Sequence, residues 1–506
     1  MRYDIVDNLN SIETDRKLYD RILRYTGVFG GVQVVSVVIK MLLNVFKSRL
    51  LGPEGYGLSE SFNKNTELIA NSTGLGINTV AVPEISQSFD EADASLLAHK
   101  VLLTRSWALL TALLGLVVSL ALAPVLSRWA FNGDSGYTVS FMVLSMSVAA
   151  TAVTNGETAI LKGSGLLREL ALSQLLTGVV ALFIVIPLFW FYRLGGVVPA
   201  LLLTTLGNMA VTCFYSVRHF PYKARPFSVR LLREGTGMIG FGLILTVAAF
   251  FMSWAWSFIA RFLTECAGQE FLGVYSAGYF LLVVNFTTLL VSVIDSEYYP
   301  RLSASAGDLS NAHGLMNDQS LVMCMISAPL VILFQLLVPL MVLVVLEYDN
   351  FIDSILIAQM AVMGVYFKTV SHPIAYLVVA RSDSKVYVMQ EVLCAILLIV
   401  CVVAGFKMGG TLGLGLSFTA WELTYLILCI IVSYFRYGFV MSSKLVRNFL
   451  IQGVLVVSAG AFVSLGSVIG YTGCAVLCVI SLVISFRFMS RHTSFIPSIL
   501  SKLSRK

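Results

Sequence analysis

The sequence has little charge for its length. Of its 506 residues, 12% are charged and 57% are hydrophobic, and the mean hydropathy is +0.85. Soluble domains carry about 25% charged residues, so this composition excludes a soluble globular protein. Runs of roughly 18 or more apolar residues recur along the chain, each long enough to cross a hydrocarbon layer of about 30 Å. The sequence therefore predicts an all-α polytopic membrane protein.

Motifs of enzymes and metalloproteins are also missing. The eight cysteines contain no CxxC pair, and together with the five scattered histidines they form no set with metal-ligand spacing. There is no nucleophile elbow, HExxH motif or phosphate-cradling P-loop, and no loop is long enough to hold a substrate domain. We therefore expect no catalytic residue, no metal site, no bound cofactor and no nucleic-acid partner.

What the sequence does contain is a series of fourteen candidate membrane spans. They lie near residues 27–47, 56–82, 101–126, 137–160, 170–192, 195–216, 236–260, 271–294, 321–346, 353–379, 386–406, 411–434, 447–469 and 471–489. If the N-terminus is cytoplasmic, 25 of the 34 lysines and arginines lie on the cytoplasmic side and six on the other. This bias follows the positive-inside rule and predicts that both termini are cytoplasmic.

The second span is unusually polar. It lies within "SRLLGPEGYGLSESFNKNTELIANSTGLGIN", residues 48–78. If this stretch did not cross the membrane, every later loop would change sides and the charge bias would be lost. We therefore predict that it crosses.

An internal repeat predicts two lobes. Spans one to six resemble spans seven to twelve at an offset of about 212–218 residues, and transporters are often built from such repeats. The predicted organisation is a cytoplasmic amphipathic segment (1–26), an N-lobe of six helices (27–220), a basic cytoplasmic linker (221–234), a C-lobe of six helices (235–437), an extra helix pair (446–490) and a basic cytoplasmic tail (491–506).

Lysines inside the spans are candidate ligands for an anion. A charge at membrane depth costs roughly 2.5–3.5 kcal/mol and normally faces a bundle interior or an aqueous cavity. Lys40 and Lys64 are predicted in one layer, about 10 Å below the outer surface. Glu60 and Glu67 lie on the same helical face as Lys64. Two interpretations stay open: both lysines bind an anion in a central cavity, or Lys40 extends to the surface while Lys64 forms a structural ion pair.

Further polar residues are assigned by similar reasoning. Asparagine side chains donate and accept hydrogen bonds, as sugar hydroxyls require, and three of them lie near these lysines: Asn44, Asn63 and Asn71. Lys368 in span ten is predicted to pair with Glu422 in span twelve. Arg261 is either a cavity cation or a charge at the end of a helix.

Four glycines open the seventh span. The sequence "GTGMIGFG" contains Gly235, Gly237, Gly240 and Gly242. Glycine lowers helix stiffness and allows close helix approach, so this span is predicted either to flex or to pack closely.

Several segments resemble polysaccharide flippases of the MOP (multidrug/oligosaccharidyl-lipid/polysaccharide) exporter superfamily, in the O-antigen (Wzx-type) branch. The resemblance is carried by "SRLLGPEGYGL", "AILKGSGLLRELALSQLLTGVV", "EFLGVYSAGYFL" and "DSEYYPRLSASAGD". It implies two six-helix lobes in a MATE-like V-shaped arrangement around a cavity, with two added C-terminal helices. It also implies alternating-access transport of undecaprenyl-pyrophosphate-linked oligosaccharide across the bacterial inner membrane.

The same resemblance implies roles for individual residues. Basic cavity residues that hold pyrophosphate correspond by position to Lys40, Lys64, Lys368 and Arg261. Glu67 or Glu422 would couple transport to protons or sodium. Expected partners are the lipid-linked oligosaccharide, membrane lipids and polysaccharide polymerase or assembly proteins.

Two other functions stay open at this point. One is a MATE-like drug/cation antiporter, which would require a cavity dominated by carboxylates. The other is a non-transporting membrane assembly factor of a polysaccharide pathway.

Overall fold

A computed structural model describes residues 35, 39, 42–90, 94–305, 307–346, 348–381 and 383–492 of the chain. The described residues form helices and turns, and they contain no β-strand. The prediction of an all-α fold is therefore confirmed.

The first half of the chain supplies six long helices. Helix α1 covers residues 42–73 and contains Gly52 in the left-handed region (φ 67°), a conformation that glycine adopts without steric cost. The helices that follow are α2 (Ile77–Asp90), α3 (Ala94–Ala130), α4 (Thr138–Gly163), α5 (Leu167–Tyr192) and α6 (Val197–His219).

The second half begins with the short helix α7 (Val229–Glu234). Helix α8 (Thr236–Ser276) continues through a π-helical segment (Ala277–Val284) into α9 (Asn285–Ser305). The remaining helices are α10 (Leu309–Val345), α11 (Tyr348–Ala380), α12 (Ser384–Tyr437), α13 (Ser443–Val463) and α14 (Val468–His492).

Within the described ranges, nine helical runs are long and apolar enough to cross a membrane. Three of these runs are hairpins, which turn at Arg193–Gly196, at Gly268 (φ 87°) and at Gly410 (φ 54°), so the nine runs supply twelve crossings. The polar part of α1, continued by α2, matches the predicted second span. Most of the first predicted span lies outside the described residues. The protein is thus a multi-pass membrane protein, and its helices follow the fourteen-span prediction.

The helices form two lobes and an added pair. Helices α3, α4, α5 and α6 pack together in the N-lobe with α1 and α2, and α8 to α12 pack together in the C-lobe. Helices α13 and α14 pack against α10 of the C-lobe. The C-lobe core is formed by apolar side chains of its own helices, so each lobe has a separate hydrophobic interior.

The lobes meet along α1 and α8. Three hydrogen bonds join them: Asn71 Nδ2 to Ser253 Oγ (2.8 Å), Ser257 Oγ to Asn65 Oδ1 (2.8 Å) and Gln269 Nε2 to Ser61 Oγ (2.9 Å). A Cβ atom added at Gly273 would lie 1.8 Å from the carbonyl oxygen of Pro53, so only glycine fits there. Much of the polarity of residues 48–78 therefore serves a polar contact between lobes.

A buried ion pair fixes the linker to the N-lobe. The Arg105 guanidinium donates to both oxygens of Glu157 at 2.8 and 3.0 Å, and each side chain is only 1% exposed. Arg105 also donates to the carbonyl oxygens of Phe220 and Pro221 at 3.1 and 2.9 Å. Sequence reasoning treated Glu157 as polarity at a helix end and Arg105 as a loop charge. Both interpretations are wrong, because the two residues tie α3, α4 and the linker together.

Replacing Arg105 by alanine is expected to lower the free energy of unfolding by about 3–5 kcal/mol, because Glu157 would remain buried without its charge partner. The melting temperature of the detergent-purified protein checks this. Arg230→Ala is the matched control, since Arg230 pairs with Glu234 while its own side chain is 92% exposed, and it should change little. Equal melting temperatures for the two variants would contradict the prediction.

Candidate functional site

A cavity of about 580 Å³ lies between the lobes. It is on the linker side, which we define as the side where residues 220–235 connect the lobes. The bend between α1 and α2, α4, α8, α11 and both limbs of α12 contribute to its wall. We call it the interlobe cavity.

Amides, phenols and carboxylates give the interlobe cavity its polarity. Its polar lining includes Asn71, Asn78, Thr79, Asn155, His372, Tyr376, Asp383, Ser384, Tyr387, Gln390, Glu391 and Tyr425. Among the lining residues that the structure describes there is no lysine or arginine. Such a surface can hydrogen-bond sugar hydroxyls, and its aromatic rings offer apolar faces to sugar rings.

A second cavity, of about 250 Å³, lies inside the C-lobe beside α9, α11 and α12. Lys368 and Glu422 face it, and the Lys368 ammonium lies 2.8 Å from Glu422 Oε1. The predicted pair is therefore confirmed. The Glu422 side chain is 6% exposed, and its Oε2 atom has no hydrogen-bond partner among the described residues. Lys368 lies one helical turn from His372, which lines the interlobe cavity.

Lysines from the two lobes converge on one aromatic cluster, formed by Trp256, Phe280 and Trp421. Trp256 contacts Phe280 and Trp421 with ring centroids 5.1 and 6.0 Å apart. The Lys64 ammonium lies 3.9 Å from the Phe280 centroid, and the Lys368 ammonium lies 5.4 Å from the Trp421 centroid. Both are within the range of a cation–π contact. The cluster therefore brings one cation from each lobe into a single region.

The partners of Lys64 differ in part from the sequence prediction. Lys64 lies 3.5 Å from Glu67, whose side chain is 52% exposed. Glu60 instead accepts a hydrogen bond from Lys47 at 2.9 Å, and this pair is buried. Sequence counting had assigned Lys47 to a loop. Lys64 is therefore held only weakly by a carboxylate and is available to a ligand.

The other predicted ligands are less clustered. Lys40 lies outside the described residues. Asn71 lines the interlobe cavity, whereas Asn44 and Asn63 are absent from the described lining of both cavities. Arg261 pairs with Glu265 at 2.7 Å and stacks over Trp129. The structure does not bring it to either cavity, which favours the helix-end interpretation.

The four glycines fall into two groups. A Cβ atom at Gly235 would lie 2.2 Å from Trp107 Nε1, and one at Gly242 would lie 2.2 Å from the Leu75 carbonyl oxygen. Gly237 and Gly240 have no such neighbour within 4 Å. Close packing explains the first two, and flexing of α8 stays a prediction.

Sequence reasoning missed Glu391 and its neighbour Gln390. Both lie in the first limb of α12 and line the interlobe cavity. The signal was present, because a carboxylate inside an apolar span marks a candidate site. Within the described part of the chain, no group of three His, Cys, Asp or Glu residues could hold a metal ion.

The fold is similar to solved structures of MOP transporters. An inward-facing multidrug resistance MATE family transporter has a TM-score of 0.64 and 14% identity, over 80% of this chain and 98% of that one. The lipid II flippase MurJ in an inward closed conformation has a TM-score of 0.61 and 13% identity, over 92% and 99%. A MOP superfamily transporter from Pyrococcus furiosus has a TM-score of 0.59 and 14% identity, over 82% and 95%. At these identities the similarity shows the fold, and the predicted MOP/MATE-like arrangement of two lobes is confirmed.

Sequence comparison adds a family. The model of a family described as "Polysaccharide biosynthesis protein" matches residues 22–306, more than half of the chain. A comparison with curated proteins finds no match.

Proposed function

Because the chain belongs to the polysaccharide biosynthesis protein family, we propose that it is a flippase for undecaprenyl-pyrophosphate-linked oligosaccharide, such as a polysaccharide or O-antigen repeat unit, in the bacterial inner membrane. The observation that carries this proposal is the convergence of Lys64 and Lys368, from opposite lobes, on one aromatic cluster. The name of one structural neighbour, a lipid II flippase, agrees with it.

The lysines would bind the pyrophosphate. Lysine binds phosphate as a compact point charge, and charge-assisted hydrogen bonds are about twice as strong as neutral ones. Aromatic rings around both ammonium groups limit their hydration, which strengthens their attraction for an anion. The pyrophosphate would therefore lie beside the aromatic cluster, between the lobes.

The sugar would occupy the interlobe cavity. Its volume of about 580 Å³ lies within the range of about 300–1,000 Å³ for ligand pockets. The polyprenyl tail would stay in the lipid, so that only the polar head crosses through protein.

The linker side would face the cytoplasm. The linker carries Lys223, Arg225, Arg230 and Arg233, whereas the turn at residues 131–137 on the opposite side carries no lysine or arginine. The positive-inside rule then places both termini in the cytoplasm. The cavity opens on that side, as a substrate made in the cytoplasm requires.

Transport would proceed by alternating access. The polar contacts between α1 and α8 would rearrange as the lobes rock, and the cavity would open to the other side. Coupling to protons or sodium would use Glu422, because a phosphate that draws Lys368 away leaves a buried carboxylate uncompensated. Glu67 is the second candidate, since it is the carboxylate that Lys64 contacts.

One observation favours a second function. Glu391 and Asp383 line the interlobe cavity, and carboxylates suit the cation of a MATE-like antiporter. The lysines beside the aromatic cluster favour the flippase. Partners such as a polymerase would fit a flippase or a non-transporting assembly factor equally well.

Reconstitution separates the three functions. Purified protein in vesicles would receive a fluorescent polyprenyl-pyrophosphate oligosaccharide, and a membrane-impermeant quencher would report the leaflet it occupies. We expect protein-dependent transfer between leaflets that responds to an imposed pH or sodium gradient, and none with an organic cation drug in the same vesicles. Drug transport alone would support the antiporter, and no transport of either would support the assembly factor.

A further inference from the structure

We propose that the interlobe cavity selects glycans that are neutral or carry an amine and rejects glycans with acidic sugars. This inference rests on the proposed function and names the substrate class of the same site. It follows from the charges on the cavity wall, which can be assigned one at a time.

Asp383 is neutralised by its neighbours. Its Oδ2 accepts hydrogen bonds from Arg436 at 3.0 Å and from the Tyr437 hydroxyl at 3.3 Å. Burial would raise the pKa of Asp383, but these bonds, with Arg436 first among them, hold it below its ordinary value. Asp383 is therefore a paired carboxylate at the mouth of the cavity.

Glu391 is the carboxylate that a glycan would meet. It lines the cavity, and no hydrogen-bond partner for its side chain is found in the part of the chain that the structure describes. Lys368 lies within electrostatic range of Glu391, but its ammonium is bound by Glu422 at 2.8 Å. A pyrophosphate that binds Lys368 would satisfy that cation further and leave Glu391 uncompensated.

Cations lie at the rim of the cavity instead of on its wall. Lys162 is exposed and lies 3.4 Å from Asn78 Oδ1, and Arg436 is bound to Asp383. Deeper in the cavity, the described lining around Glu391 consists of amides, phenols and apolar groups, including Gln390, Tyr387 and Tyr425.

The consequence is selection by charge. A sugar carboxylate near Glu391 would face a like charge in a partly desolvated site, where its affinity should fall about tenfold to hundredfold. A sugar hydroxyl can donate to Glu391, and a sugar ammonium can pair with it. The neighbouring amides and phenols serve either kind of neutral contact.

Three matched probes test this. They are polyprenyl-pyrophosphate disaccharides that share one linkage and end in glucose, glucosamine or glucuronate, and the readout is the Kd for the full-length protein in detergent. We expect glucose and glucosamine to bind at least about tenfold more tightly than glucuronate. Glu391→Gln should bring glucuronate to within about threefold of glucose, while Glu270→Gln, the same change at an exposed carboxylate near the Gly268 turn, should leave the ratio unchanged.

The outcomes are distinguishable. Equal affinity of the wild-type protein for all three probes would overturn the inference and leave the flippase proposal standing, and this result needs no variant to fold. A glucuronate penalty that persists in folded Glu391→Gln would also overturn it. Failure of all three probes to bind would instead overturn the flippase proposal itself.

Discussion

Replacing Lys64 by alanine is expected to weaken binding of a polyprenyl-pyrophosphate oligosaccharide about tenfold to hundredfold, with normal protein abundance. A hydrogen bond to a charged group is worth about 1.5–3 kcal/mol, which corresponds to that change in Kd. Stability should hardly change, because the Lys64–Glu67 contact is 3.5 Å long and Glu67 is half-exposed. Export of the polymer should be lost in cells that depend on this protein.

The control for Lys64 is Lys407→Ala. Lys407 is exposed, close to the turn at Gly410 on the side away from the linker, so its loss removes one cation from outside the cavities. Binding and abundance should both match the wild-type protein. If Lys64→Ala loses abundance, or keeps its affinity, the residue is structural and the phosphate site is misassigned.

Replacing Lys368 by methionine is expected to lower the free energy of unfolding by about 3–5 kcal/mol. The cause is Glu422, which would stay buried without its cation and with Oε2 unpaired among the described residues. Adding Glu422→Gln should restore the melting temperature, because both charges are then gone. It should not restore binding of the lipid-linked pyrophosphate.

This pair of variants separates the two roles of Lys368. The single and double variants form a cycle that can be measured by thermal unfolding and by Kd in the same preparation. Recovery of stability without recovery of binding supports a phosphate ligand. If the double variant binds as tightly as the wild-type protein, Lys368 serves only to neutralise Glu422.

The topology could be predicted from sequence because it depends on strong, local signals. Apolar length defines the spans, and the charge bias shows that the polar stretch at residues 48–78 crosses the membrane. The Lys368–Glu422 pair followed from depth alone, since two opposite charges near the same level of one bundle have few other partners.

Side-chain partners were harder to predict because they depend on how helices turn and rotate. Glu60 lies one turn from Lys64 along α1, yet it pairs with Lys47, which the bend at Gly52 brings beside it. The partner of Glu157 is Arg105, 52 residues earlier in the chain, on a different helix. Helical spacing contains no information about such contacts between helices.

The cavity lining was missed for a related reason. Residues of α1, α4, α8, α11 and α12 form the interlobe cavity, and each helix contributes only a few side chains. Asn155 and Tyr425 are unremarkable within their own spans and acquire a common role only when the lobes are assembled. Glu391 was the exception, because an intramembrane carboxylate is visible in sequence.

The most direct test of the central claim compares undecaprenyl pyrophosphate with undecaprenol, two lipids that differ in the anionic head. The affinity of the purified protein for each can be measured in detergent, without any sugar. The convergence of Lys64 and Lys368 predicts at least about tenfold tighter binding of the pyrophosphate, and loss of most of that difference in Lys64→Ala. Equal affinities for the two lipids, or a difference that survives in Lys64→Ala, would contradict a phosphate site formed by both lobes.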